Sequence, residues 1–344
     1  MQHQVELRFH ADSRDAQTHT NLSAIRADGP GLWVAGDETA TIEHLSFAGG
    51  RYDGQRGFAL ADFVELPAGR DDEADIEGIG LSDGWLWAVG SHSLKRRRVK
   101  TTDPQKARKR LATVVREENR FVLVRLPVTG RGTPYATPVR RDGDRTAAIL
   151  AGKGDNLADI LADDPHLAPF LRLPGKDNGL DIEGIAVKGD RLYIGLRGPV
   201  LRGWAVLLEI RPRQHHSDPH RLRLGEIDGH PYRTHFLDLR GLGIRDLSPH
   251  GDDLLILTGP SMDLDGPVRV VRWRDALITD APAVLTAADL EVVADLPYGD
   301  GDDHPEGLTV LNGDTLMVVY DSPAPARLTP EGGVYADLIP LPRT

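Results

Sequence analysis

Short runs of Leu, Val, Ile and Trp alternate along this chain with Gly- and Asp-rich turns, and one two-part pattern recurs. It reads "NLSAIRADGPGLWVAGDET" from 21, "DIEGIGLSDGWLWAVGSHS" from 75 and "DIEGIAVKGDRLYIGLRGP" from 181. It returns as "GIRDLSPHGDDLLILTGPS" from 243 and "HPEGLTVLNGDTLMVVYDSP" from 304. Each copy predicts a short strand, a tight turn and a second apolar strand, which is hairpin chemistry.

The copies start 54 residues apart from 21 to 75, 106 apart from 75 to 181, then 62 and 61 apart. Three of these intervals lie slightly above the roughly 40–50 residues of a propeller blade. The long interval holds "TTDPQKARKRLATVVREEN" (101–119) and "DRTAAILAGKGDNLADILADDPHLAPFLRL" (144–173), both of which read as helical insertions. Without them the interval matches its neighbours. The expected fold is therefore all-β, a five-bladed β-propeller, with a sixth blade inside 101–180 as the alternative. A pair of β-sandwiches would not need so regular a hairpin repeat.

The remaining strands fit four per blade. Third strands are "TIEHLSF", "RFVLVRLPV", "WAVLLEIRP" and "VRVVRWRD", and fourth strands are "FALADFVELP", "RTHFLDL" and "EVVADLP". The N-terminal "VELRFHAD" resembles a fourth strand but precedes the first copy. It is expected to pair with the last unit and close the ring, making 1–344 a single domain without exposed edges.

Composition changes this picture little. The chain is 40% hydrophobic and 27% charged, as in ordinary water-soluble proteins. No apolar run reaches the roughly 20 residues of a membrane span, and the first residues lack the apolar core of a secretory signal, so a cytoplasmic location is expected. Without cysteine there is no disulfide or thiolate metal site. The net charge of −11 argues against general nucleic-acid binding.

The candidate chemistry lies in the repeat. In a propeller the first strands surround the axis, so equivalent positions converge. The Glu of "DIEGI" corresponds to Ser23, Glu77, Glu183, Arg245 and Glu306, and the position two earlier to Asn21, Asp75, Asp181, Gly243 and His304. The Gly beside it would permit close backbone approach, an architectural role needing no ligand. Convergence adds a second reading. Carboxylates about 6 Å apart repel by roughly 3 kcal/mol at an effective dielectric near 20. Oxygen ligands with no thiolate suit a hard cation, Ca²⁺ before Mg²⁺, held by Glu77, Glu183, Glu306, Asp75 and Asp181. The second-strand exits bring cations to the same face: His92, Lys95 and Arg96, then Arg197 and Arg202, then Arg327. With Arg245 they are candidates for holding an anion, and His304 or His92 for general base.

Other motifs carry less. "LKRRRVKTTDPQKARKR" (94–110) has nine basic residues, but no interleaved aromatics for nucleic-acid stacking, and reads as a solvated helical insertion. "HHSDPH" (215–220) lies between third and fourth strands, away from the Glu set, while "GPSMD" and "GKGDN" lack the flanking pattern of a nucleophile elbow or phosphate loop.

The "DIEGI" copies, "SHSLKRR", "GLRGPVLRGWA" and the closing "HPEGL…YDSP" resemble an uncharacterised bacterial propeller family, domain of unknown function thirty-six-sixteen, from about 20 to 335. More distantly, the D-x-EG openings look like the phytase-like esterase propellers. That resemblance implies metal-assisted ester or phosphoester hydrolysis by analogy, although Ser23 and Arg245 interrupt a full acidic ring. Two functions stand open: a hydrolase acting on an anionic small molecule at the axial mouth, or a non-enzymatic scaffold gripping a partner protein loop.

Overall fold

The fold is that of a computed structural model, which describes residues 3–342. It is all-β and propeller-like, and the predicted hairpins open its sheets. Strands Leu22–Asp28, Gly31–Gly36, Thr41–Ala48 and Arg51–Ala59 form the first unit in that order. Ile76–Ser82, Trp85–Gly90, Leu123–Thr129 and Ala148–Leu150 form the second. The third has Asp181–Lys188, Arg191–Gly198, Trp204–Gln214 and Tyr232–Asp238; the fourth has Gly243–His250, Asp253–Gly259, Val268–Trp273 and Glu291–Leu296. His304–Leu311, Thr315–Asp321 and Gly333–Pro340 begin the last, and the N-terminal His3–Arg8 completes it. That final pairing is antiparallel, in register from His3↔Leu338 to Arg8↔Gly333.

The opening strands pack side by side in a cycle: 22–28 against 76–82, 76–82 against 181–188, 181–188 against 243–250, 243–250 against 304–311, and 304–311 against 22–28. Each neighbouring pair of units encloses its own apolar cluster, the first and last being joined in one eight-stranded sheet by a parallel pairing at Leu7↔Tyr52. Trp33 meets Ile79 and Val124, Leu123 meets Ile182 and Leu192, and Tyr193 and Leu207 meet Leu247 and Ile256. Leu255 and Val270 meet Leu308 and Leu316, and Val319 and Leu7 meet Ile25. The two-residue period of a strand explains the partition: Leu254 and Ile256 face the third unit while Leu255 and Leu257 face the last. Burying each such side chain contributes roughly 1.5–3 kcal/mol.

One side chain closes the axis. Arg26 of the first opening strand, buried, donates to the carbonyls of Ile79 (2.9 Å), Ile185 (3.2 Å), Leu247 (2.7 Å) and Leu308 (3.4 Å), and to Ser248 Oγ (2.9 Å). It thus ties its own strand to the other four. Asp246 lies 3.6 Å from it and accepts from the backbone N–H groups of Leu247 and Leu308.

Two expectations need correction. The fourth strand of the first unit is Arg51–Ala59 rather than 58–67, because the Gly49–Gly50 turn, with φ of 60° and 84°, doubles the chain back earlier. In the insertions, helix is confined to Pro104–Leu111, Leu157–Ile160 and single 3₁₀ turns, and 144–173 contributes strand Ala148–Leu150 to the second sheet. Among the described residues no helix is long and apolar enough to cross a membrane.

Candidate functional site

The repeated Glu occupies a β-bulge. In the opening strands pairing skips Ser23, between Leu22 and Ala24, and Glu77, between Ile76 and Gly78. It skips Arg245, between Ile244 and Asp246, and Glu306, between Pro305 and Gly307. In the third unit it jumps from Ile182 to Ile185, passing Glu183 and Gly184. A bulge leaves one residue outside the ladder and re-aims its side chain. The Gly that follows is where neighbouring opening strands touch. A Cβ on Gly184 (φ 130°) would lie 2.8 Å from Asp246 Cα, and one on Gly78 3.0 Å from the Ile185 backbone nitrogen. "DIEGI" is therefore both a packing device and a means of convergence.

The bulges feed a cavity of about 530 Å³ at one mouth of the axis. Its floor carries Asp75, Glu77, Asp181, Glu183 and Glu306, which are all five carboxylates expected there, together with Asp37 and Asp321. Oxygens of Asp37, Asp75 and Glu77 lie within 4.8 Å of one another. At that spacing each pair of full charges repels by roughly 3–4 kcal/mol at an effective dielectric near 20. Burial, reinforced by Asp75, Asp321 and Glu306, pushes Asp37 up to about 8. Burial likewise raises Glu77 well above the usual carboxylate range, with Asp75 and Glu183 adding to it. Asp181 reaches about 7 through burial and its neighbour Glu183.

The other side of the floor is neutralised by arginine. Arg197 Nη1 donates to Glu183 at 2.7 Å, and Arg245 lies 3.6 Å from Glu183 and pairs with Glu306. Burial alone would raise Glu183, but the two guanidiniums outweigh it and hold its pKa low. Glu306 still reaches about 7, because burial and Asp321 outweigh Arg245. Asp75 is bridged at 2.5 Å by Arg120, which also donates to Ser93.

The expected cations divide. Lys95, Arg96 and Arg197 line the cavity, but Arg202, Arg245 and Arg327 do not. Arg327 is instead locked to Asp337 at 2.9 Å and to Asp303 within the last sheet, and Arg202 is exposed. Neither histidine reaches the lining. His92, at 1% exposure, packs edge-on against Phe121 with Nδ1 2.8 Å from the Gly90 carbonyl, and burial pushes it down to about 4. His304 holds Asp265 at 3.1 Å on the surface. "HHSDPH" remains at an outer strand tip beyond Trp204–Gln214.

Sequence reasoning missed Asp37, Asp321, Arg120 and most of the basic run. The run is largely exposed, as expected of a solvated insertion, but it also forms a strap beside the cavity, with Arg97, Arg98, Lys100 and Arg110 among the lining residues. Its base is tied down by Gly175 N donating to Leu94 O at 3.0 Å and by Arg96–Asp177 at 2.6 Å.

No curated protein matches the sequence. Solved structures give distant similarities. The Myxococcus xanthus glutaminyl cyclase is 8% identical with a TM-score of 0.40, over 99% of this chain and 96% of that one. The PQQ-bound aldose sugar dehydrogenase of Streptomyces coelicolor is 13% identical with a TM-score of 0.38, over 98% of each. The Cps50 (Swd1) β-propeller domain of Myceliophteria thermophila is 10% identical with a TM-score of 0.33, over 98% and 99%. A family model described as "Protein of unknown function (DUF3616)" matches residues 21–337, and the chain belongs to that family.

Proposed function

We propose that this chain is a single five-bladed propeller whose axial mouth binds a divalent cation together with an anionic small molecule, and that it hydrolyses an ester or phosphoester bond. One observation carries the reading: a single cavity holds two sets of charges of opposite sign that do not pair with each other. Asp37, Glu77, Asp181 and Asp321 have no cationic partner, and neither do Arg97, Arg98 and Lys100 have a carboxylate, among the described residues. Such sets give a fold no stability by themselves, and perturbed carboxylates in a cleft mark functional sites. The cyclic contact of the opening strands and the reach of Arg26 support the blade count.

The donor set fits a hard cation. Asp37, Asp75 and Glu77 offer only carboxylate oxygens, and Asp37 Oδ1 is buried without a hydrogen-bond partner. These three residues would hold Ca²⁺, or Mg²⁺ with less ease, with Asp75 sharing its carboxylate with Arg120 at 2.5 Å, while Glu183 and Glu306 lie outside the three-carboxylate cluster and pair with arginine. A bound divalent ion would polarise a substrate oxygen or acidify water. With both histidines outside the cavity, the proton-taking role falls to Asp181, whose pKa near 7 suits transfer at neutral pH. Lys95 and Arg96 stay paired, with Glu73 at 2.8 Å and Asp177 at 2.6 Å, and shape the wall.

The test is calorimetric titration of chelator-stripped protein with Ca²⁺, beside Asp37→Asn, Glu77→Gln and Glu183→Gln. The first two variants should lose the response and the third should keep it. A parent protein without any response would sink the cation reading. Binding would direct a screen of phosphoesters, esters and lactones. A partner protein loop, the other candidate occupant, would need a broad open face, whereas the strap walls this one.

A further inference from the structure

Nine cationic side chains line the cavity, and they divide by origin. Five of them face lining carboxylates: Lys95 with Glu73, Arg96 with Asp177, Arg120 with Asp75, Lys176 with Asp263 and Arg197 with Glu183. The other four, Arg97, Arg98, Lys100 and Arg110, all belong to the strap. None has a carboxylate partner among the described residues; Arg110 Nε donates only to the Arg98 backbone carbonyl, at 2.5 Å. The fold holds them near a floor rich in unpaired acids without letting the two sets meet. The lining as a whole carries twelve carboxylates against nine cations, but these four strap cations are the ones left without a carboxylate partner, and four such charges suit a multiply charged anion better than a single carboxylate. Three of the four are guanidiniums, whose planar forks match tetrahedral phosphoryl oxygens in pairs.

We infer that the strap is an anion subsite of its own for a phosphoryl group carrying at least two negative charges, formed by Arg97, Arg98, Lys100 and Arg110. It rests on the reading of this cavity as a ligand site, but it does not need the cation. The subsite assigns the ligand a direction: its phosphoryl end lies on the strap, and the remainder points toward the Asp37–Asp75–Glu77 floor. It also concentrates anion recognition on the segment that follows the second unit's second strand, whereas Arg202 and Arg327 do not reach the cavity.

The experiment is titration of the full chain with inorganic pyrophosphate and orthophosphate in excess chelator, which keeps the floor cation out of the measurement. Pyrophosphate should bind, more tightly than orthophosphate, and affinity should fall as NaCl is raised. Arg97→Ala/Arg98→Ala should weaken pyrophosphate at least tenfold. Arg108→Ala/Lys109→Ala, which removes the same charge from the same basic run but outside the lining, should change it less than twofold. Because Arg97, Arg98, Arg108 and Lys109 are all exposed, both variants should fold. Three results would overturn the inference: no pyrophosphate binding by the parent, equal losses in the two double variants, or binding to anionic phospholipid vesicles or duplex DNA that pyrophosphate does not compete away. The last would make the strap an outward-facing surface. A missing Ca²⁺ response with pyrophosphate retained would refute only the cation reading.

Discussion

The two sides of the cavity floor start from the same local geometry and end in opposite electrostatic states. Glu77 and Glu183 stand at equivalent bulges, each with a Gly behind it and an Asp two residues before. Glu183 is held ionised between Arg197 and Arg245, while Glu77 shares its corner with Asp37 and Asp75 and is driven toward its protonated form. The difference comes from two arginines: Arg197, near the end of the third unit's second strand and 2.7 Å from Glu183, and Arg245, 3.6 Å from it. Where three units carry Glu at the bulge, the fourth carries Arg245, which reaches the carboxylates on both sides of it. The backbone supplies convergence, and the reach of these two guanidiniums decides which sector is internally satisfied and which keeps unpaired acids.

Arg245→Ala should do the most damage. It leaves Glu306 unpaired and Glu183 with one guanidinium, and breaking a buried pair costs about 3–5 kcal/mol. The loss should be greater at pH 8 than at pH 6, because Glu306 can take a proton in the lower range. Chemical denaturation at both pH values reads this, and equal losses would contradict the account. Next come the glycines that permit the bulges. Gly184→Ala combines a φ of 130° with a Cβ only 2.8 Å from backbone, for a loss of roughly 2–3 kcal/mol. Gly78→Ala, free of positive φ, should cost about 1 kcal/mol. A reversed ranking would mean that the bulge strain is misassigned.

In the unpaired sector the sign changes. Without divalent cation, Asp37→Asn should stabilise the protein at pH 8 by about 1 kcal/mol, by removing repulsion from Asp75 and Glu77. Thermal unfolding in chelator checks it. The pH slope sums this sector over several groups at once. Asp37, Asp181 and Glu306 have folded pKa values of about 8, 7 and 7, above their unfolded values near 4. Their contribution is therefore fully present below about pH 4 and is lost as pH rises through 7 to 8. Ca²⁺ should flatten that decline and release protons on binding, seen as an observed heat that changes with the ionisation enthalpy of the buffer.

Much of this was legible in the chain. Period-two apolar runs and Gly/Asp turns define the hairpins, and "DIEGI" marks the residues that converge. Asp37 and Asp321 were also within reach: they directly follow Gly36 and Tyr320, the last apolar stretch of their second strands, in "GDETA" and "YDSPAPAR". The Gly49–Gly50 turn was a readable signal for the earlier fourth strand. Arg26 and Arg120 were not readable, since their partners come from other units and no local pattern distinguishes them from surface arginines. The strap was hidden for the same reason. Its helix buries no residue, and what draws it to the mouth is the contact of Leu94 and Arg96 with 174–177, which no periodicity records.

Arg26 has a consequence for traffic. By spanning to all four facing strands it fills the axis between them, so nothing passes through the ring at that level. A ligand at the mouth would leave on the side it entered, and a product that keeps its phosphoryl group would be held there by the strap arginines. In an enzyme built this way, departure rather than bond breaking would set the pace of turnover.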